Sequence, residues 1–344
     1  MKPIRFLSPM HNSMSQRRRL LGAALGAGVG ATSALSLFPL AVSYAQSTPA
    51  SLNSDAKLIR IGYQKSAVNL VILKQQGALE KRFPDSKISW IEFPAGPQLL
   101  EALSVGSLEF GLTGDSPPVF AQAAGKDLFY VGTEPPKPES SAIIVLKDSP
   151  IRSLSDLKGK KIALQKGSSA HFLLVQAVKK SGLKWNDIQP IYLTPADARA
   201  AFERKSLDAW VIWDPFYAAI ELTVPVRVVS TGAGLTNNNS LYLASRNLVE
   251  NHPTTIRALF EELTQADQLV QKNREQAVRL ISSFSGLSPE VIGLFLKRRQ
   301  ISPVGLLDPQ TIADQQAVAD AFFELQLIPK KINVADIVWS GHPI

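Results

Sequence analysis

Phe110-Gly111-Leu112-Thr113-Gly114-Asp115-Ser116-Pro117-Pro118 reads as a short apolar strand, a polar turn and a helix opened by proline, the helix running over residues 117–124. Proline suits a first helical turn, where its missing N–H would have no partner within the helix. A strand that feeds a helix in this way is the repeating unit of an α/β sheet with largely parallel strands. The unit recurs on both sides. Residues 58–63 read as a strand and 68–81 as a helix; 88–93 as a strand and 98–105 as a helix; 128–131 as the next strand.

Glu134-Pro135-Pro136-Lys137-Pro138-Glu139-Ser140 interrupts the series as a proline-rich extended link. Beyond it the alternation restarts, with strands at 142–146, 161–164, 188–193, 208–213 and 225–230 and helices at 169–181, 195–204 and from Pro215. A second polar, glycine-bearing break at 232–240 precedes a strand at 241–244. The remainder is helical, at 254–272, 274–283, 289–297 and 309–325. Two interruptions around a central block predict two α/β lobes joined by two crossings, with hinges near Pro136 and Thr236. The first lobe is then discontinuous, 57–138 and 239–344, with the C-terminal helices packing back on it, and the second is 139–238. Ligands of such folds bind in the cleft at the carboxyl ends of the strands.

Residues 1–45 are read as an export signal and 46–56 as a flexible leader. The signal carries five basic residues, no acidic ones, a Gly/Ala/Leu stretch and the small-x-small site Ser43-Tyr44-Ala45. Arg17-Arg18-Arg19-Leu20-Leu21 favours the twin-arginine route, with ordinary general secretion as the alternative. Five of the 37 basic residues lie in this segment, so 32 remain against 29 acidic and the net charge falls from +8 to +3. No basic stripe remains to suit a nucleic-acid partner. The chain has no cysteine, hence no thiol for lipid attachment, and all three methionines (Met1, Met10, Met14) fall in the signal. A mature chain without sulfur suits a protein made in quantity when sulfur is scarce. The expected product is a soluble periplasmic monomer.

Four strand-to-helix turns carry the candidate site: Tyr63-Gln64-Lys65-Ser66, Phe93-Pro94-Ala95-Gly96-Pro97-Gln98, Thr113-Gly114-Asp115-Ser116, and Gln165-Lys166-Gly167-Ser168-Ser169-Ala170-His171. Free backbone N–H groups at a helix start bind anions. Side-chain N-capping accounts for any one such turn; four at successive strand ends point to an anion. Trp213, closing a strand as Trp213-Asp214-Pro215-Phe216, adds an aromatic wall. Enzyme signatures are thin. No Gly-x-Ser-x-Gly elbow, phosphate-binding Gly-Lys-Ser/Thr loop or His-Glu-x-x-His pair occurs. His171, His252 and His342 are too dispersed to suggest a metal site. Neither a cofactor nor a metal is expected.

The stretches Gly62-Tyr63-Gln64-Lys65, Ser89-Trp90-Ile91-Glu92-Phe93-Pro94-Ala95-Gly96-Pro97-Gln98, Thr113-Gly114-Asp115-Ser116-Pro117-Pro118, Glu134-Pro135-Pro136-Lys137-Pro138, Gln165-Lys166-Gly167-Ser168-Ser169 and Ile212-Trp213-Asp214-Pro215 resemble the aliphatic sulfonate-binding proteins of bacterial ATP-driven importers. The resemblance runs from about residue 58 to 339. It implies a type II periplasmic-binding-protein fold, an alkanesulfonate ligand, no catalysis, and delivery to an ABC permease with its ATPase. It further implies ligand contacts from Gln64, Gly96, Gln98, Thr113, Gly114, Ser168, Ser169 and Trp213. Asp115 and Asp214 would orient neighbours or meet a polar or ammonium-bearing tail, and His171 would tune tail preference. The alternatives are the same fold binding taurine, nitrate or a thiamine precursor, or a cleft enzyme.

Overall fold

The computed structural model describes residues 55–299 and 304–341. The expected export signal, most of the leader and His342 lie outside the described residues.

The chain opens with β1 (Leu58–Tyr63), α1 (Val68–Gln76), α2 (Ala78–Arg82), β2 (Lys87–Glu92), α3 (Gly96–Ser104), β3 (Phe110–Gly114), α4 (Ser116–Ala123) and β4 (Phe129–Glu134). After the first crossing come β5 (Ser141–Leu146), β6 (Lys161–Leu164), α5 (Ser169–Lys180), β7 (Gln189–Tyr192), α6 (Pro195–Glu203), β8 (Ala209–Trp213), α7 (Phe216–Thr223) and β9 (Val226–Thr231). The second crossing returns to β10 (Ser240–Ala244), followed by α8 (Arg246–Asn251), α9 (Pro253–Lys272), α10 (Arg274–Ser285), α11 (Pro289–Arg298) and α12 (Pro309–Glu324).

Two five-stranded sheets result, ordered β2-β1-β3-β10-β4 and β7-β6-β8-β5-β9. β10 runs antiparallel to β3 and β4, as β5 does to β8 and β9, while the other pairings are parallel. This is the α/β, two-lobed architecture of type II periplasmic binding proteins.

β5 and β10 are apolar at every position after their opening serines, Ser141 and Ser240, because both their faces are covered. Along β10, Tyr242 and Ala244 enter one core, where the Tyr242 ring stacks 5.5 Å from Phe110. Leu241 and Leu243 point the other way, against Leu99 and Phe322. β5 divides likewise, Ile143 and Val145 to one side and Ala142 and Ile144 to the other. Alternation with period two produces this split. Truncating one of these fully buried leucines to alanine costs about 2–5 kcal/mol.

The helix expected over 68–81 is broken. Gly77 adopts φ +58° and its N–H closes α1 on the carbonyls of Leu73 and Lys74, so α2 restarts at a new angle. A left-handed backbone is cheap only for glycine. α9 packs on α1 and α2, α10 on α1, and α12 on α4. α11 reaches both lobes: Phe295 enters the core of the first, and the helix lies against α7 of the second.

The two crossings run side by side. Lys137 N–H donates to Asn237 O at 3.0 Å, Asn238 Nδ2 to Lys137 O at 3.0 Å, and Gly232 N–H to Pro138 O at 3.0 Å. A Cβ on Gly232 would sit 2.5 Å from Pro138 O, so the close approach requires glycine there.

Candidate functional site

One cavity lies where the strand ends of the two sheets meet. The first sheet and its turns bring Gln64, Ser66, Gly96, Thr113 and Gly114 to it. The second brings Ser168, Ser169, Trp213 and Asp214, and the crossings add Lys137, Ser140, Asn238 and Ser240. Phe295 of α11 closes one side. Its volume is about 40 Å³, room for about three waters or one compact polar head group.

The helices that begin here share a feature. No side chain caps α1, α3, α4 or α5. Thr194, Ser245, Asn273, Ser288 and Asp308 cap α6, α8, α10, α11 and α12, while α2, α7 and α9 also lack a side-chain cap. The turns expected at the site are therefore not ordinary N-caps. They are also unequal. In α1 the N–H groups of Ala67 and Val68 are taken by the carbonyls of Gln64 and Ser66. α4 gives two early positions to Pro117 and Pro118, which have no N–H. α3 and α5 keep free first-turn N–H groups, of which those of Gly96 in one lobe and Ser169 in the other belong to residues that line the cavity. Ser168 does not cap α5; its hydroxyl donates back to Gln165 O at 2.8 Å. One donor set thus faces the cavity from each lobe, as an anion clamped between them would need.

Gln64 is fixed by its Nε2, which donates to Leu112 O at 3.1 Å, and Thr113 by its hydroxyl, which donates to Gly114 O at 3.0 Å. Three of the sequence-derived residues do not line the cavity. Gln98 and His171 each lie two residues beyond a lining residue, Gly96 and Ser169, and two helical steps turn a side chain about 200° around the axis. His171 instead enters an aromatic cluster, its ring centre 5.1 Å from Phe322, 5.3 Å from Trp185 and 6.0 Å from Phe120. Its Nδ1 accepts Gly167 N–H at 3.2 Å, and burial with the nearby Lys166 charge pulls its pKa down to about 3. Asp115 turns under α4, where it accepts from the Ser116 hydroxyl at 2.9 Å and is bonded by Ser169. Burial raises its carboxyl, opposed by these bonds and by Lys137.

Asp214 does line the cavity. Its Oδ1 accepts Ala218 N–H at 3.0 Å and Arg298 Nη1 at 3.2 Å, whereas its buried Oδ2 has no protein partner. Burial pushes its pKa up to about 7 against the pull of Arg298. Arg298 comes from α11, also pairs with Glu221, and lies 3.8 Å over the Tyr217 ring.

Sequence reasoning missed Lys137 and Ser140, which were read as spacer. Ser140 is buried and its Oγ has no protein partner. Lys137 Nζ donates to Ser240 Oγ and lies 3.5 Å from Glu134 Oε2. Burial alone would raise the Glu134 carboxyl, but Arg299 and Lys137 outweigh it and hold it below its usual range. Tyr242 (2.8 Å), Asn69 (3.2 Å) and Arg299 (3.3 Å) converge on Glu134 Oε1, and Arg299 also meets Asp267 at 3.3 Å. The signal available in the sequence was a lysine between prolines, Pro136-Lys137-Pro138, where no chain flexibility is gained by having it.

Residues 90–277 match the NMT1/THI5-like family. The chain is similar to the alkanesulfonate-binding protein SsuA of Xanthomonas axonopodis pv. citri, solved bound to MOPS, at 47% identity and TM-score 0.81, covering 83% of this chain and 99% of that one. It is similar to the periplasmic aliphatic sulphonate binding protein SsuA of Escherichia coli at 48% identity and TM-score 0.78, covering 84% and 94%. The taurine-binding periplasmic protein of Escherichia coli K12 is 26% identical over 227 residues, 62% of this chain and 70% of that protein.

Proposed function

The chain belongs to the aliphatic sulfonate-binding proteins of the NMT1/THI5-like family, and from that premise we propose that its cleft captures alkanesulfonates by closing two lobes around them and hands them to an ABC permease driven by its ATPase. The observation that carries this reading is the pair of uncapped helix starts, α3 and α5, one from each lobe, at a single head-group-sized cavity. MOPS, held by the Xanthomonas relative, is itself a propanesulfonate.

In the closed cleft the sulfonate oxygens accept N–H bonds from Gly96 and Ser169 and side-chain bonds from Gln64 and from the Ser140, Thr113 and Ser168 hydroxyls once these turn to the head group, the last two releasing Gly114 O and Gln165 O. The tail leaves past Trp213. Each hydrogen bond to the charged head contributes roughly 1.5–3 kcal/mol, and a micromolar ligand needs roughly 8 kcal/mol in all. Several such bonds, less the cost of desolvating the anion, reach that figure. A ligand touching both lobes favours the closed state by its differential affinity.

The reading is of a carrier. Among the described residues no histidine lines the cavity, His171 being buried outside it, and no cluster of three or more metal-ligating side chains occurs. No helix among the described residues is long and apolar enough to cross a membrane. The twin-arginine-like segment and the sulfur-free mature chain support export to the periplasm for sulfur scavenging, where the protein is proposed to act as a monomer. Calorimetric titration with ethanesulfonate, taurine, nitrate and sulfate, in buffers free of sulfonate, tests the proposal. Micromolar binding of ethanesulfonate and its recovery unchanged are expected; binding of nitrate alone, or conversion of the ligand, would refute it.

A further inference from the structure

His171 lies outside the cavity, yet it touches both the turn that serves the cavity and the seam between the lobes. Its ring belongs to α5 of the second lobe and is fully buried. The first lobe meets it with Phe120 of α4 and Phe322 of α12, ring centres 6.0 and 5.1 Å away. The second lobe adds Trp185 at 5.3 Å and Tyr192 at 5.7 Å. Its Nδ1 accepts the Gly167 N–H at 3.2 Å, within the turn that brings Ser168 and Ser169 to the cavity. A Cβ on Gly167 would lie 3.5 Å from the Phe120 ring, so this turn also abuts the first lobe. An imidazole that accepts at Nδ1 carries its proton on Nε2, and Nε2 is buried without a protein partner.

Resting on the sulfonate reading above, we infer that His171 is a positioning residue: its neutral ring ties the donor turn of the second lobe to the seam between the lobes, and a proton on it loosens both, so that acid weakens capture. A second proton has to sit on Nδ1, where it would meet the Gly167 N–H donor to donor. No carboxylate compensates it. α4, α12 and β7 face the ring with Phe120, Phe322 and Tyr192, and the segment before β7 faces it with Trp185. The charge that acts on it is Lys166 of its own turn, whose Nζ lies 5.5 Å over the Tyr192 ring and which repels a second cation. Burial and Lys166 together pull the pKa from 6.5 to about 3. Parting the lobes takes Phe120 and Phe322 away and lets water reach the ring. The closed form therefore holds this proton less tightly than the open form. Closure is fully favoured above pH 6.5 and loses ground as pH falls from there towards 3. Asp214 acts with the opposite sign, because a carboxyl near 7 loses its charge on acidification and then repels an anion less.

The test is calorimetric titration of the mature protein with ethanesulfonate at pH 7.5 and pH 5, in buffers free of sulfonate, for the wild type and for His171→Gln. Glutamine offers Gly167 an amide oxygen but takes up no proton in this range. A ring that returned fully to 6.5 in the open form would weaken binding about 30-fold at pH 5. Trp185 and Tyr192 stay beside it, so the ratio of Kd values, wild type over variant, is expected to rise about tenfold from pH 7.5 to pH 5. The ratio cancels Asp214 and every other group that the two proteins share. A ratio constant within twofold would overturn the inference while leaving sulfonate capture intact. Failure of the wild type to bind ethanesulfonate at pH 7.5 would overturn both. Should the variant not fold, proton NMR of the wild-type imidazole C2–H resonances decides. One histidine is expected to titrate between pH 5 and 7 in the free protein and to stay neutral at pH 5 with saturating ligand; histidines that titrate alike in both states would overturn the inference.

Discussion

Gly114 ends β3 in the first lobe and faces Ser169, which opens α5 in the second. A methyl group at Gly114 would lie 1.9 Å from Ser169 Oγ and 3.2 Å from Ser169 Cβ. Gly114→Ala therefore tests closure itself. The hydroxyl can escape by changing rotamer, which removes it from Asp115 and from the cavity. The Cβ contact then asks the lobes to part by a few tenths of an ångström. The parted lobes cost the head group its bond from the Ser169 N–H, and losing one hydrogen bond to a charged group weakens binding by roughly 1.5–3 kcal/mol, about 10- to 100-fold in Kd. Stability of the free protein should move the other way, because alanine replaces glycine in a strand at a position without positive φ, a gain of about 0.5–1 kcal/mol. Calorimetry with ethanesulfonate reads the first effect, thermal melting without ligand the second. Small-angle scattering should show incomplete compaction at saturating ligand. A double variant with Ser169→Ala separates the Oγ clash from the Cβ contact, since only the 3.2 Å contact remains there. If Gly114→Ala binds within twofold of wild type and closes fully, the lobe contact described above does not belong to the liganded state.

Lys137→Met should both weaken sulfonate binding and destabilise the fold by about 3 kcal/mol, because it leaves buried Glu134 short of one of its cations; chemical denaturation of wild type and variant measures it. Asp214 makes a signed contribution to the pH dependence of stability. Its folded pKa near 7 lies above the ordinary 3.8, so the native state holds the proton more tightly. That stabilisation is complete below pH 3.8 and is lost as pH rises through 7, a fall of about 4 kcal/mol. Asp214→Asn lacks the fall, and its melting temperature relative to wild type should be higher at pH 7.5 than at pH 4.5; an equal difference at both would refute the assignment.

What the sequence displayed was local. Continuous apolar runs at residues 142–146 and 241–244 marked strands covered on both faces, and Pro117 or Pro309 after a polar turn marked helix starts. The turns that line the cavity were visible because small polar residues and glycine stand at strand ends. What stayed hidden depended on direction or on distance along the chain. Gln98 and His171 belong to the right turns but face away by helical geometry. Lys137 and Ser140 sit in a proline-rich run whose meaning depends on Asn237, Asn238 and Ser240, about 100 residues later in the chain. Gly77 inside an apolar helical pattern gave no sign that it would adopt positive φ rather than sit tolerated in one long helix.

The charges around the cavity also bear on which anions suit it. Lys137 is the basic residue among its lining groups, and it is already compensated by Glu134 behind it. Asp214 stands on the opposite account, held only in part by Arg298, which α11 lends across the lobes. The remaining donors are neutral N–H and O–H groups. Such a wall can stabilise one negative charge by directed hydrogen bonds. A dianion of the same shape would need a second cation that the described residues do not place there, and its desolvation cost rises steeply with charge. Selectivity for a monoanionic head over sulfate or phosphate dianions then follows from charge, before any contact with the tail. The same crossing that carries Lys137 joins the lobes, so under the proposed closure a monoanion seated on it would bond to the two halves and to the segment proposed as their hinge.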